Sequence, residues 1–187
     1  MITLTGEQLD AVMPYLEAAN EEAALATCFR AQCGSVIVSA EGEVIGRGHN
    51  SPPLDDETNR ICLPGEQEQD WDFTFKPKYD RTCCVHAEQN ACLDAAKRNP
   101  DKIAGSTLWY MKRGKHGEFT GGGEPFCTAC SRIAMQTGVG KFVLWHAADG
   151  VAKVWDLPEY NRASYQNLMR RNGEPPVAEA TRGGVVL

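Results

Sequence analysis

The spacing of apolar residues predicts that strands and helices alternate along this chain. Residues 35–40 and 43–48 read as the two strands of a hairpin that turns at residues 41–42. Small apolar side chains then recur at three- and four-residue spacing over residues 83–99, which is typical of a helix, and Pro100 ends the pattern. We therefore expect a hairpin followed by a helix in the first half of the protein.

The remaining sequence extends this alternation. Strands are predicted over residues 107–112 and 141–146, and helices over residues 127–137 and 160–171. A further helix, interrupted near Pro14, is predicted before the hairpin. Alternating strands and helices indicate the α/β fold class.

The length of 187 residues suits a single domain, spanning residues 1–187, with a core large enough to be stable alone. Residues 51–82 are rich in Pro, Asp, Glu and Gln, and they predict a long irregular insertion loop. Residues 172–187 predict a flexible tail unless a partner subunit holds it.

No pattern in the sequence points to a membrane or to secretion. The first residues lack the basic and then apolar pattern of a signal peptide, and no apolar run approaches membrane-spanning length. Eight cysteines in 187 residues fall short of a disulfide scaffold. We therefore expect a cytoplasmic protein that does not bind membranes.

Acidic residues concentrate in one part of the chain. Residues 41–80 hold ten acids and four bases, a surplus that equals the net charge of −6 of the whole chain. The simplest interpretation is a solvated loop surface. An acidic lobe also argues against a nucleic-acid groove, which needs a basic stripe.

The strongest chemical signal is a histidine and two cysteines that are typical of a zinc site. His86 is followed two residues later by Glu88, and Cys127 and Cys130 come about forty residues further on. One imidazole and two thiolates fill three corners of a zinc tetrahedron and leave the fourth for water, as in catalytic sites. Glu88 is too close to His86 to be a comfortable fourth ligand, but it is well placed to handle protons on that water.

Local structure supports a catalytic zinc over simpler interpretations. The Cys-x-x-Cys pair by itself suits a redox pair or half of a structural zinc site. Both halves of the motif, however, fall at predicted helix N-termini, where free amides and the helix dipole favour the thiolate form. His-x-Glu followed by a proline and two spaced thiols is also the signature of zinc nucleobase deaminases.

Four segments of the sequence resemble the cytidine and deoxycytidylate (dCMP) deaminase superfamily, and the dCMP deaminases most closely. They look like its first zinc motif, its first strand, its glycine-x-asparagine-glycine-x-proline loop and the strand after its second motif, and they are residues 84–91, 34–38, 48–52 and 138–144. The resemblance covers about residues 20–146. It implies a three-layer α/β/α fold with a central mixed sheet of about five strands, and a homo-oligomer.

The resemblance also implies a reaction and roles for individual residues. Zn²⁺ held by His86, Cys127 and Cys130 would supply hydroxide at neutral pH, and Glu88 would move protons as C4 of a cytosine loses its amine. The backbone amide of Ala87 would bind the pyrimidine carbonyl, and Asn50 would bind the sugar hydroxyl. The expected reaction is hydrolytic deamination of a cytosine nucleotide or nucleoside, dCMP to dUMP.

Other residues have open assignments. Phe126 is inserted before the first thiol, Ser51 replaces a usual glycine, and residues 113–123 form a longer loop than usual. Trp109, Tyr110 and Phe126 are candidates for stacking on a base or for the sheet core, and the phosphate candidates are Arg47, Arg113, Lys115 and Arg132. A second, structural zinc, known in certain phage dCMP deaminases, and small buried cysteines are the alternatives for Cys28, Cys62, Cys83, Cys84, His49 and His116; we favour buried cysteines.

The sequence is compatible with three classes of function. The first is a deaminase of a small-molecule nucleotide or nucleoside, which the acidic charge favours because it makes nucleic acid an unlikely partner. The second is a deaminase of tRNA, of single-stranded nucleic acid or of another amino-substituted nucleobase. The third is a zinc-binding interaction module without chemistry, and the presence of Glu88 argues against it.

Overall fold

The fold centres on a mixed sheet flanked by helices on both faces. The computed structural model describes residues 1–61, 83–121 and 123–173. The strands are β1 Ile2–Leu4, β2 Gln32–Val38, β3 Val44–His49, β4 Thr107–Arg113, β5 Phe119–Thr120, β6 Lys141–His146 and β7 Val151–Asp156. The helices are α1 Glu7–Asp10, α2 Met13–Ala24, α3 Ala87–Arg98, α4 Thr128–Thr137 and α5 Leu157–Asn172.

The sheet has seven strands in the order β1-β7-β6-β4-β2-β3, with β5 added to β4. Strands β4 and β6 run parallel and the other pairs run antiparallel. Helix α2 covers one face through a core that includes Leu16, Val36 and Met111. Helices α3, α4 and α5 cover the other face, where Ile37 and Phe142 are buried. The predicted three-layer α/β/α class with a mixed sheet is confirmed, with more strands than the five or so expected.

Strand β3 and helix α3 pack backbone against backbone because β3 carries two glycines on one face. A Cβ atom built on Gly46 would lie 2.5 Å from the Ala91 carbonyl oxygen, and one built on Gly48 would lie 2.3 Å from the Ala91 amide nitrogen. Only glycine allows so close an approach. This contact fixes the height of α3 above the sheet.

The element boundaries differ from the predicted ones where long-range pairing intervenes. Helix α3 begins at Ala87 instead of residue 83, because Val85 is extended and its amide donates to the Ser51 carbonyl at 2.8 Å. The N-terminal helix divides into α1 and α2, with Pro14 in the first turn of α2. Strands β1, β5 and β7 were not predicted.

Parts of two predicted segments lie outside the described residues. Of the predicted insertion at residues 51–82, the structure describes residues 51–61, which contain two short 3-10 turns, Pro53–Asp55 and Glu57–Asn59. Of the predicted tail at residues 172–187, it describes only the end of α5. Among the described helices, none combines the length and apolar character needed to cross a membrane.

Candidate metal centre and active site

The predicted zinc ligands lie where the N-termini of α3 and α4 meet. His86 is the residue before α3, Cys127 is the residue before α4, and Cys130 is in the first turn of α4. The Cys130 backbone amide donates to the Cys127 sulfur at 3.2 Å, so this thiolate caps its own helix. The Gln89 side-chain oxygen accepts from the His86 amide at 3.2 Å.

The three side chains form a compact cluster whose dimensions fit zinc. His86 Nδ1 lies 3.2 Å from the Cys130 sulfur and 3.4 Å from the Cys127 sulfur. A tetrahedral zinc with its usual bond lengths separates a nitrogen and a sulfur ligand by about 3.6 Å. Within residues 1–61, 83–121 and 123–173, it is the one group of three metal-ligating side chains with ligand atoms within 4.8 Å of one another.

The electrostatics of the cluster favour a charged thiolate. Hydrogen bonding with Cys130, and then with His86, lowers the pKa of Cys127 to about 4. The hydrogen bond to Cys127 raises the pKa of His86 to about 9. Burial raises the pKa of Cys130 well above its usual range. Metal ligation needs a neutral imidazole and thiolates, so zinc binding would release protons from this cluster.

Glu88 stands in the first turn of α3 beside this cluster and is only 7% exposed. Burial raises the pKa of its carboxyl group, and the negative charge of Cys127 raises it further. A carboxyl group with a raised pKa can accept and return a proton near neutral pH. Glu88 is not a member of the three-residue ligand group.

The structure also brings Asn50 to this end of the sheet. The Asn50 side-chain oxygen accepts from the Cys33 amide at 2.8 Å, and its nitrogen donates to the Ala31 carbonyl at 2.8 Å. These bonds fix the orientation of the amide and leave it one acceptor site and one N–H. Ala87 opens α3, so its backbone N–H has no partner within the helix.

Sequence reasoning missed Cys33. The Tyr110 hydroxyl donates to the Cys33 sulfur at 3.1 Å, and the charge of Glu88 acts on both side chains. Burial raises the pKa of the Cys33 thiol to about 11, so this residue is a neutral neighbour of the active site. Its place next to Gly34, in the strand that resembles the family's first strand, was the available signal.

The other aromatic and basic candidate residues lie in different environments. Trp109 is a core residue that packs against Tyr15 with ring centroids 5.2 Å apart. Phe126 is 52% exposed beside the cluster. Arg47 pairs with Glu22 at 3.3 Å, and Arg132 donates to the Thr128 carbonyl at 3.2 Å.

The structure brings three of the candidate second-site cysteines together. Cys83 and Cys84 have their sulfurs 3.9 Å apart, and a hydrogen bond with Cys84 lowers the pKa of Cys28 to about 5. His49 lies elsewhere, 3.5 Å from Glu22 and from Asp55, and Cys62 is outside the described residues. In the described parts of the chain these residues form no second metal-ligating group.

Comparison with known proteins identifies the family. The model of the cytidine and deoxycytidylate deaminase zinc-binding region matches residues 8–146, and every candidate site residue lies within this range. The chain therefore belongs to this family and is a zinc-dependent deaminase of the cytidine/dCMP type. No curated protein matches the chain significantly.

One solved structure with a TM-score of 0.50 supports the fold, and two others are similar at lower TM-scores. A cytidine deaminase from Burkholderia pseudomallei is 19% identical, with a TM-score of 0.50 over 79% of this chain and 94% of that one. A dCMP deaminase from the cyanophage S-TIM5, solved with dCMP and dUMP, is 22% identical, with a TM-score of 0.48 over 74% of this chain and 82% of that one. RibD from Acinetobacter baumannii is 16% identical, with a TM-score of 0.39 over 73% of this chain and 28% of that one.

Proposed function

We propose that this enzyme removes the exocyclic amine of a cytosine nucleotide by hydrolysis, converting dCMP to dUMP, with His86, Cys127 and Cys130 as zinc ligands. The observation that carries the proposal is the buried carboxyl group of Glu88 beside a histidine–cysteine–cysteine cluster. Such a carboxyl group serves no purpose in a purely structural zinc site, whereas hydrolytic deamination needs a group that transfers protons.

The residues of the chain divide the reaction among them. His86, Cys127 and Cys130 would hold the zinc, which would lower the pKa of a bound water molecule to about 7 and so supply hydroxide at neutral pH. The Glu88 carboxylate takes a proton from water as hydroxide adds to C4 of the cytosine, and it delivers this proton to N3. Glu88 then carries the remaining hydroxyl proton to the exocyclic amine, which leaves as ammonia while C4 becomes a carbonyl. The raised pKa of Glu88 supports this role.

Two groups are proposed to orient the substrate. The Ala87 amide, at the positive end of α3, would donate to the pyrimidine carbonyl. The remaining acceptor site and N–H of the Asn50 amide would bind the sugar hydroxyl. The bonds from Asn50 to Ala31 and Cys33 support this role because they hold the amide still before substrate arrives.

The choice of a small-molecule substrate rests on the loop at residues 48–52 and on charge. This loop resembles that of the dCMP deaminases, and the chain has a net charge of −6. A substrate panel containing dCMP, CMP, deoxycytidine, adenine-containing tRNA and single-stranded DNA, assayed for ammonia release, tests the choice. We expect the fastest turnover with dCMP. Preferred turnover of tRNA, with binding that weakens steeply as salt rises, would overturn the assignment.

Metal analysis tests the ligand set. We expect one zinc per chain, and we expect Cys127→Ala to lose it. Cys92→Ala is the matched control, because Cys92 is another buried cysteine on the same side of the sheet that lies outside the cluster. A Cys127→Ala protein that keeps full zinc would refute the ligand assignment.

We also propose a cytoplasmic location and a homo-oligomeric state for a single domain spanning residues 1–187. A metal site built from free thiolates suits a reducing compartment, which supports the location. Fractionation of cells and light scattering of the purified protein test these two proposals.

A further inference from the structure

Helix α5 lies beyond residues 8–146, which the family model matches, yet it reaches the segment that carries the thiolates. The Asn167 side-chain nitrogen donates to the Pro125 carbonyl at 2.6 Å. Burial raises the pKa of Tyr160 well above its usual range, and an interaction of its hydroxyl with the Phe126 backbone lowers that pKa in part. The Pro125 carbonyl and the Phe126 amide belong to the same peptide group, so Asn167 and Tyr160 of α5 both interact with that one peptide, and Asn167 holds it by a direct hydrogen bond.

The geometry of α5 allows both side chains to reach the same peptide. Tyr160 and Asn167 are seven residues apart, which places them on the same face of a helix, two turns from each other. Tyr160 is almost fully buried, and its ring stacks on Phe142 with centroids 3.9 Å apart. Arg170 donates to the Asn167 side-chain oxygen at 2.7 Å, which leaves the Asn167 nitrogen facing Pro125. The Tyr160 and Asn167 side chains are therefore each fixed by other contacts of their own.

The gripped peptide immediately precedes the proposed ligand. Cys127 follows Phe126 directly. The Phe126 side chain is 52% exposed and is not anchored in the core, but its ring centroid lies 3.7 Å from the Arg171 guanidinium of α5. Rotation of the 125–126 peptide would swing the Cys127 sulfur relative to His86 Nδ1, which lies 3.4 Å away. Hydrogen bonds that orient a ligand in this way commonly change metal affinity by about 10- to 100-fold.

We propose that Asn167 and Tyr160 are positioning residues for the metal centre, acting by fixing the peptide between Pro125 and Phe126. The proposal rests on the proposed role of Cys127 as a zinc ligand. It assigns to α5, a helix outside the family match, a part in zinc retention.

Asn167→Asp tests this role with almost no change in shape. The carboxylate keeps the acceptor for Arg170, but it cannot donate to the Pro125 carbonyl. Tyr160→Phe is the second variant, because it keeps the ring stack on Phe142 and removes the hydroxyl that interacts with the Phe126 backbone. Gln166→Glu is the matched control, since it makes the same amide-to-acid change one residue earlier on an exposed side chain.

The measurement is the rate at which each purified zinc-loaded protein releases zinc to a chromophoric chelator, with thermal unfolding recorded alongside. We expect Asn167→Asp and Tyr160→Phe to release zinc roughly 10-fold faster than wild type and Gln166→Glu to match wild type. The added negative charge of Asn167→Asp by itself favours a cation, so faster release would reflect lost positioning and not charge.

The outcomes separate the proposals. Wild-type protein that holds no zinc would refute the proposed function. Wild-type protein that holds zinc, with both variants releasing it at the wild-type rate, would refute the positioning role alone. A lower melting temperature with unchanged zinc release would assign α5 a purely structural part and would also overturn the proposal.

Discussion

Replacing Gly48 with alanine should displace α3, the helix that begins directly after His86 and carries Glu88. The new Cβ atom would lie 2.3 Å from the Ala91 amide nitrogen and 2.6 Å from the Ala87 carbonyl oxygen, both in the backbone of α3. Ordinary contact begins near 3.4 Å. Because no side-chain rotation relieves a clash with backbone atoms, α3 must move away from β3 by about 1 Å.

The displacement of α3 should lower both the stability of the protein and its turnover. Overpacking of this kind costs about 1–3 kcal/mol of stability, which outweighs the roughly 0.4–1 kcal/mol gained when alanine restricts the unfolded chain. For a protein of this size, each kcal/mol lost lowers the melting temperature by about 2–4 °C. A shift of about 1 Å in catalytic groups costs about 10²-fold in turnover, which we expect for ammonia release.

Gly105→Ala separates catalysis from stability. Gly105 has φ +76° in the turn before β4, and no atom lies within 4 Å of its built Cβ. Alanine there pays about 1–2 kcal/mol for the left-handed backbone without touching α3. Turnover is measured well below both melting transitions. We expect wild-type turnover from Gly105→Ala and a large loss from Gly48→Ala; equal turnover in the two variants would refute the reasoning.

Three further predictions concern the centre itself. Glu88→Gln should keep one zinc per chain while kcat/KM for ammonia release falls by roughly 10²- to 10⁴-fold, and loss of zinc together with activity would show that Glu88 is a ligand. Asn50→Ala should raise KM, and an unchanged KM would show that Asn50 does not bind substrate. The same change removes two hydrogen bonds of 2.8 Å, so it should lower the free energy of unfolding by about 1–3 kcal/mol in denaturant titration. Chelation of zinc should lower the melting temperature, and added zinc should restore both stability and activity, because a ligand that binds only the folded state stabilises it.

Local sequence patterns were sufficient for most elements of the fold. The strands β4 and β6 and the helix α4 were predicted within one residue at each end. They follow from periodicity and from Gly138, which ends α4 in a left-handed conformation. Strand β7 has six residues, as β6 has, but it was not predicted, because only Ala152 in it is buried and its pairing with β1 and β6 is set by the sheet.

For the candidate site too, local sequence patterns account for one part and long-range packing accounts for the rest. The sequence by itself identified the family, the His86, Cys127 and Cys130 cluster and the neighbouring Glu88, because these residues act through short spacings at helix N-termini. Only the tertiary structure decided that Val85 pairs with Ser51, that the Tyr110 hydroxyl donates to Cys33, and that Asn167 of α5 donates to the Pro125 carbonyl. Hydrophobic periodicity records which face of an element is buried, whereas these contacts join backbone and polar atoms from elements far apart in the chain, and they exist only once the layers pack.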